Sequence, residues 1–181
     1  LFVGINSYSM RQIVYLLGLL TIFSCNEKSE KKEESLEETA RRIHNAVITI
    51  DTHNDINISN FTLEKNYTQR LSTQVNLPKM EEGGLDVTWL IVYTGQDSLT
   101  DKGFKDAEEN AMSKFEAIHR LCEEYAPDKI ELATTSEEVR RIHSEGKKVA
   151  MIGVENAYPM AQDSKNIEKY RGMGALYVSL A

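Results

Sequence analysis

Cysteine, proline and tryptophan are the scarcest residues here: two, three and one in 181 positions. The cysteines, Cys25 and Cys122, stand far apart in unlike surroundings, so neither a disulfide framework nor a CxxC metal site can be built from them. Any metal would have to be held by histidine and carboxylate side chains. Cations are also in deficit, with 21 Lys and Arg against 28 Asp and Glu and a net charge of -7. No basic stripe is visible, and phosphate backbones need clustered Lys and Arg, so nucleic acid is not expected as a partner. Apolar runs stay short of the ~20 residues that cross a bilayer. There is no repeat at a solenoid period. The remaining balance, 41% hydrophobic and 27% charged, is that of an ordinary globular chain.

The first residues read as a targeting segment. Met10-Arg11 opens it, Ile13 to Phe23 is apolar except for Gly18 and Thr21, and Ser24-Cys25 follows. Such a run suits the core of a signal peptide, and an aliphatic residue three before the cysteine with a small one directly before it resembles a bacterial lipoprotein signal. Residues 10–24 are therefore expected to be a signal peptide and Cys25 a lipidated residue that anchors the protein to a membrane of the bacterial cell envelope. Residues 1–9, ahead of Met10, read as an upstream artefact. The stretch 25–40 is a charged tether, because its run of Glu and Lys cannot bury enough apolar surface to offset chain entropy. The sequons at Asn57, Asn60 and Asn66 would matter only in a eukaryotic secretory pathway.

From residue 36 the periodicity alternates between helical and extended. Helices are predicted over 36–45, 77–84, 102–125, 136–145 (capped by Ser136, stopped by Gly146) and 164–171. Strands are predicted over 46–50, 85–93, 149–154 and 175–180. Nearly continuous apolar strands separated by amphipathic helices imply parallel pairing covered by helices. Four such strands are half of a (β/α)8 barrel, and residues 41–181 are expected to be its N-terminal half, truncated after about four β/α units. A doubly wound open sheet is the alternative.

Two strand ends carry chemistry. In Ile50-Asp51-Thr52-His53-Asn54-Asp55, residues two apart share a strand face, so His53 and Asp55 can point together into a barrel mouth, with donors that suit zinc. Asp51 is expected to orient the loop by hydrogen bonds instead. The apolar run Lys148 to Val154 ends in Glu155, whose two oxygens can lie between two metal ions about 3.5–4 Å apart. Each motif alone is weak, since a polar turn after a strand often holds Asp or Glu. His44, His119 and His143 sit in helical stretches and are expected at surfaces or boundaries, Cys122 as a small helix residue, and Trp89 in the core.

Taken together these segments resemble the membrane (renal) dipeptidase family of zinc metallopeptidases. Asp51 to Asp55 is similar to the family's D-G-H-N-D, Gln74 to Met80 with Gly83-Gly84 to its Q-V-D-L-P-R-L and G-G, Ile152 to Glu155 to its I-G-x-E, and Tyr170 to Leu180 to the following L-G-V-R-Y-L-T-L. The resemblance implies a TIM barrel of the metal-dependent hydrolase type with two Zn2+ ions, His53 and Asp55 as ligands of the first and Glu155 as the carboxylate bridging both and assisting proton handling. Thr52 and Asn156-Ala157-Tyr158 depart from the pattern and leave substrate preference open. The implied activity is hydrolysis of small dipeptides by a metal-activated hydroxide, in a chain expected to be inactive as given because further ligands lie, in the family, beyond the position of Ala181; a homodimer is compatible with it. Another barrel metallohydrolase, or a surface lipoprotein that keeps half a barrel without catalysis, are the competing readings.

Overall fold

A computed structural model describes residues 34–180. The expected leader, the residues before it, Cys25 and the tether up to residue 33 lie outside that range. Contacts divide the chain into Leu1–Leu36 and Glu37–Ala181, and the fold is that of the second unit.

Five parallel strands form one sheet: β1 (Ile50–Asp55), β2 (Val87–Tyr93), β3 (Ile130–Leu132), β4 (Lys148–Glu155) and β5 (Ala175–Val178). Among the described residues five α-helices accompany them: α1 (Leu36–His44), α2 (Leu77–Gly83), α3 (Asp101–Arg120), α4 (Ser136–Ser144) and α5 (Lys165–Gly172). The strand order is β1-β2-β4, and the far edge of β4 is shared: β3 pairs with its first half through Ile130↔Lys148, and β5 takes over through Ile152↔Ala175. The anticipated strands thus lie side by side in chain order, as in a β/α barrel, with β3 as a short addition. Among the described residues no helix is long and apolar enough to cross a membrane.

Several boundaries move from their expected places. The first strand lies at 50–55 rather than 46–50, because its ladder with β2 runs Ile50↔Val87 to Asp55↔Ile91 and draws in the polar motif, while Val47 and Ile48 stay exposed. Strand β3 was not anticipated, as three residues give too little alternation to read. The long helix ends at Arg120 and passes into a π-helical turn over Leu121–Tyr125. Thr135, not Ser136, caps α4: its hydroxyl accepts from Glu138 N and the Glu138 carboxylate accepts from Thr135 N, a reciprocal capping box. Helix α2 begins as expected, with Asn76 Oδ1 accepting from Lys79 N and Pro78 in the first turn, and it stops at Gly84, whose φ of 66° favours a residue without Cβ.

Alternation along β2 divides the sheet into two faces. Leu90 and Val92, with Ala150, Ile152 and Val154 of β4, join Ala111, Phe115 and Ile118 of α3 and Tyr170 of α5 in the larger core cluster. Phe115 and Tyr170 are fully buried with ring centroids 5.3 Å apart, each worth about 2–3 kcal/mol of apolar burial. The opposite face carries Val87 and Trp89 of β2 and Val149 and Met151 of β4, which cluster with Val139 and Ile142 of α4. Beyond that helix the same face continues, at the carboxyl ends of the strands, into polar residues.

Candidate metal centre

His53, Asp55 and Glu155 meet at those carboxyl ends. Their ligand atoms all lie within 4.8 Å of one another. His53 Nε2 is 3.0 Å from Glu155 Oε2 and 3.8 Å from Asp55 Oδ1. Because β2 lies between β1 and β4, the two backbones are separated by two strand spacings, about 10 Å. The side chains must lean toward each other over β2 to close that distance. His53 is oriented at its base, since its backbone N donates to Asp51 Oδ1 at 3.0 Å, the loop-ordering role expected of Asp51. Asn54, between the two candidate ligands, points the other way and is buried against Thr88, with Nδ2 and Oγ1 3.5 Å apart.

This donor set fits a zinc ion. One imidazole nitrogen and two carboxylates are common zinc donors, and ligands at about 2.0–2.1 Å in a tetrahedron lie roughly 3.3 Å from one another. The observed 3.0 and 3.8 Å bracket that separation. Asp55 and Glu155 remain open, with side chains 64% and 35% exposed, so an ion and a substrate could both approach.

Residues without an expected role surround the cluster. Tyr177 of β5 lies over Gly153, two residues before Glu155: a Cβ on Gly153 would come within 2.3 Å of the tyrosine ring, so glycine is required there. Trp89 packs beside Tyr177 at 5.3 Å between centroids, and its buried Nε1 has no hydrogen-bond partner. Burial, and then the charges of Glu155 and Asp55, push the Tyr177 hydroxyl pKa up. Lys114 of α3 donates to Tyr93 O and stands 5.7 Å from the centre of the Tyr93 ring; burial lowers its pKa while Asp55 and Glu155 oppose that shift. Because Tyr93 pairs with Glu155, the β2 terminus brings this cation toward the carboxylates. The sequence signals for this floor were Gly153 in the I-G-x-E segment and Tyr177 in the matched stretch Tyr170 to Leu180; Lys114 sits in an unremarkable amphipathic helix.

The other histidines are engaged elsewhere. His44 Nε2 is 3.2 Å from Gly84 O, His119 spans Glu123 Oε1 at 2.8 Å and Met173 O at 3.0 Å, and His143 lies 3.6 Å from Asp86. Cys122 is buried, which pushes its thiol up to about 12 and leaves it inert as a nucleophile.

Comparison with known proteins bears on the fold and the family. Dipeptidase tcpJ of Claviceps purpurea is 24% identical over 118 residues, covering 63% of this chain and 28% of the relative. The probable dipeptidase PvdM from Pseudomonas aeruginosa superposes with a TM-score of 0.73 at 18% identity, over 80% of this chain and 37% of that one. A metallo peptidase from Rhodobacter sphaeroides, solved with a phosphinate mimic of the dipeptide L-Ala-D-Ala, gives 0.58 at 19% identity, over 75% and 45%. The chain thus spans about a third of the length of the curated relatives it matches. With the profile of the family described as membrane dipeptidase (peptidase family M19) matching residues 37–181, the chain belongs to that metallopeptidase family.

Proposed function

We propose that this chain carries part of the active centre of a zinc-dependent dipeptidase, with His53 and Asp55 binding one ion and Glu155 facing two. The observation that carries this reading is the convergence of three donor atoms within 4.8 Å from two strands that are not neighbours in the sheet. Zinc held by these residues would supply the chemistry of lowering the pKa of bound water to about 7 and polarising a peptide carbonyl. The chain's own contributions are distinct from that chemistry. His53 offers an imidazole nitrogen, the two carboxylates offer negative charge, and Asp51 fixes the β1 end. Tyr177 and Trp89 form an apolar floor beneath Glu155, which keeps water from that side. Lys114 offsets part of the negative charge without entering the cluster.

A small dipeptide is the substrate proposed, in line with the family and with the dipeptide mimic held by the Rhodobacter protein. The 181-residue chain alone is proposed to be inactive, because the three donors that converge among the described residues serve at most one ion and catalytic zinc sites keep three protein ligands at each metal. Lipidation at Cys25, with attachment to the bacterial cell envelope, is proposed on the sequence signal, and Cys25→Ser should then move the protein to the soluble fraction. The functional reading is tested by chelation: stripped full-length protein should lose dipeptide hydrolysis and regain it with zinc. Hydrolysis unaffected by exhaustive chelation would refute it.

A further inference from the structure

Glu155 is the last residue of β4, and the residue after it, Asn156, adopts a left-handed backbone with φ of 74°. Few residues other than glycine accept that region, asparagine being one that does so more readily. Leaving the strand in this way takes the Asn156 N–H out of the ladder, and a polar group there needs a partner from elsewhere. Ser179 supplies it. Asn156 N donates to Ser179 Oγ at 3.0 Å, while Ser179 N donates to Val154 O at 3.0 Å. One residue thus grips the main chain on both sides of Glu155. The asparagine side chain completes the turn, its Oδ1 accepting from Tyr158 N at 3.0 Å.

We propose that Ser179 is a positioning residue for Glu155, its hydroxyl holding the left-handed turn at Asn156 that aims the carboxylate at His53; the proposal rests on reading His53, Asp55 and Glu155 as metal ligands. The hydroxyl is the discriminating element. Any residue but proline at 179 can keep the main-chain bond to Val154 O, whereas the bond from Asn156 N needs the hydroxyl oxygen on Cβ. Without it the Asn156 N–H loses its acceptor, the left-handed turn keeps only asparagine's own tolerance and the Oδ1 bond from Tyr158 N, and Glu155, 3.0 Å from His53 Nε2, is held less firmly at its origin.

Ser179→Thr and Ser179→Val separate the hydroxyl from shape, since the two new side chains are nearly isosteric and both suit an extended backbone. Zinc affinity by chelator competition and amide exchange at Asn156 are measured in the full-length protein. In Ser179→Val zinc should bind about tenfold more weakly, the lower end of what outer partners of metal ligands contribute, and the Asn156 amide should exchange faster. Ser179→Thr should retain wild-type values of both, with thermal stability alike in the two variants. Equal zinc affinity and equal exchange in the Thr and Val variants would overturn the proposal. Wild-type protein that binds no zinc would instead overturn the ligand reading, and the exchange data alone would then decide whether the clamp exists.

Discussion

The two ends of this sheet use the same residue types to opposite effect. At the amino ends of the strands, Asp86 is surrounded by donors: Thr49 N at 3.0 Å, Thr49 Oγ1 at 3.2 Å and Lys148 Nζ at 3.2 Å, with His143 3.6 Å away. Its side chain is only 18% exposed, and its own N–H donates to Thr49 Oγ1. Burial alone would raise its pKa, but the bonds from Thr49 and Lys148 outweigh that and hold the carboxyl below its ordinary value. At the carboxyl ends, Asp55 Oδ1 and Glu155 Oε2 lie 3.8 and 3.0 Å from one imidazole nitrogen, His53 Nε2. A satisfied carboxylate ties strands together. An open pair beside an imidazole leaves negative charge for something else to complete, and within a metallopeptidase family a metal ion is the natural complement.

The largest expected effect comes from breaking the open end. His53→Ala should lower zinc content and dipeptide turnover together, by more than the roughly 10–100-fold that outer partners of a ligand contribute, with little change in melting temperature. Retention of both metal and turnover would show that the His53 motif is only a polar turn. Breaking the satisfied end should do the reverse. Asp86→Ala leaves Lys148 without its carboxylate and Thr49 N without an acceptor, and should cost about 2–3 kcal/mol in denaturant unfolding. Metal bound per folded molecule should stay the same.

The acid limb of stability sharpens the contrast. The Asp86 carboxyl is held below its value in the unfolded chain, so its stabilising contribution is present above the unfolded pKa of about 3.9 and lost as the pH falls through the lower folded value. Unfolding measured below pH 4 should therefore fall less steeply with acid in Asp86→Ala than in the wild type, and parallel curves would contradict the assignment. A smaller effect is expected at Asn156, where alanine gains nothing from the left-handed region: Asn156→Ala should cost about 1 kcal/mol. The exposed Arg70–Glu82 pair, although only 2.6 Å apart, sets the lower bound, and Arg70→Ala should change stability by less than about 1 kcal/mol.

The sequence revealed this site better than the strand that bears it. His53, Asp55 and Glu155 were singled out through the family resemblance, since each strand-end motif alone is weak, and the structure brings the three together because parallel strands place such residues at their carboxyl ends. The start of β1 was not legible, since its position follows from pairing with Val87 and its neighbours rather than from the apolar residues 46–50. Strand β3 escaped for a related reason: Ile130, Glu131 and Leu132 become a strand by pairing with residues 148 to 150. The floor and the clamp depend on β5 lying beside β4, which sets Tyr177 over Gly153 and Ser179 against Asn156. The stretch Tyr170 to Leu180 was matched as a segment, but a segment match does not show which distant residues Tyr177 and Ser179 touch.

The central claim, that the carboxyl end of the sheet is completed by zinc, is tested most directly by anomalous diffraction at the zinc edge from crystals of the full-length protein grown with the metal. The predicted result is an ion bonded to His53 Nε2, Asp55 and Glu155 at about 2.0–2.2 Å. Well-ordered side chains at all three residues with no anomalous peak between them would contradict it.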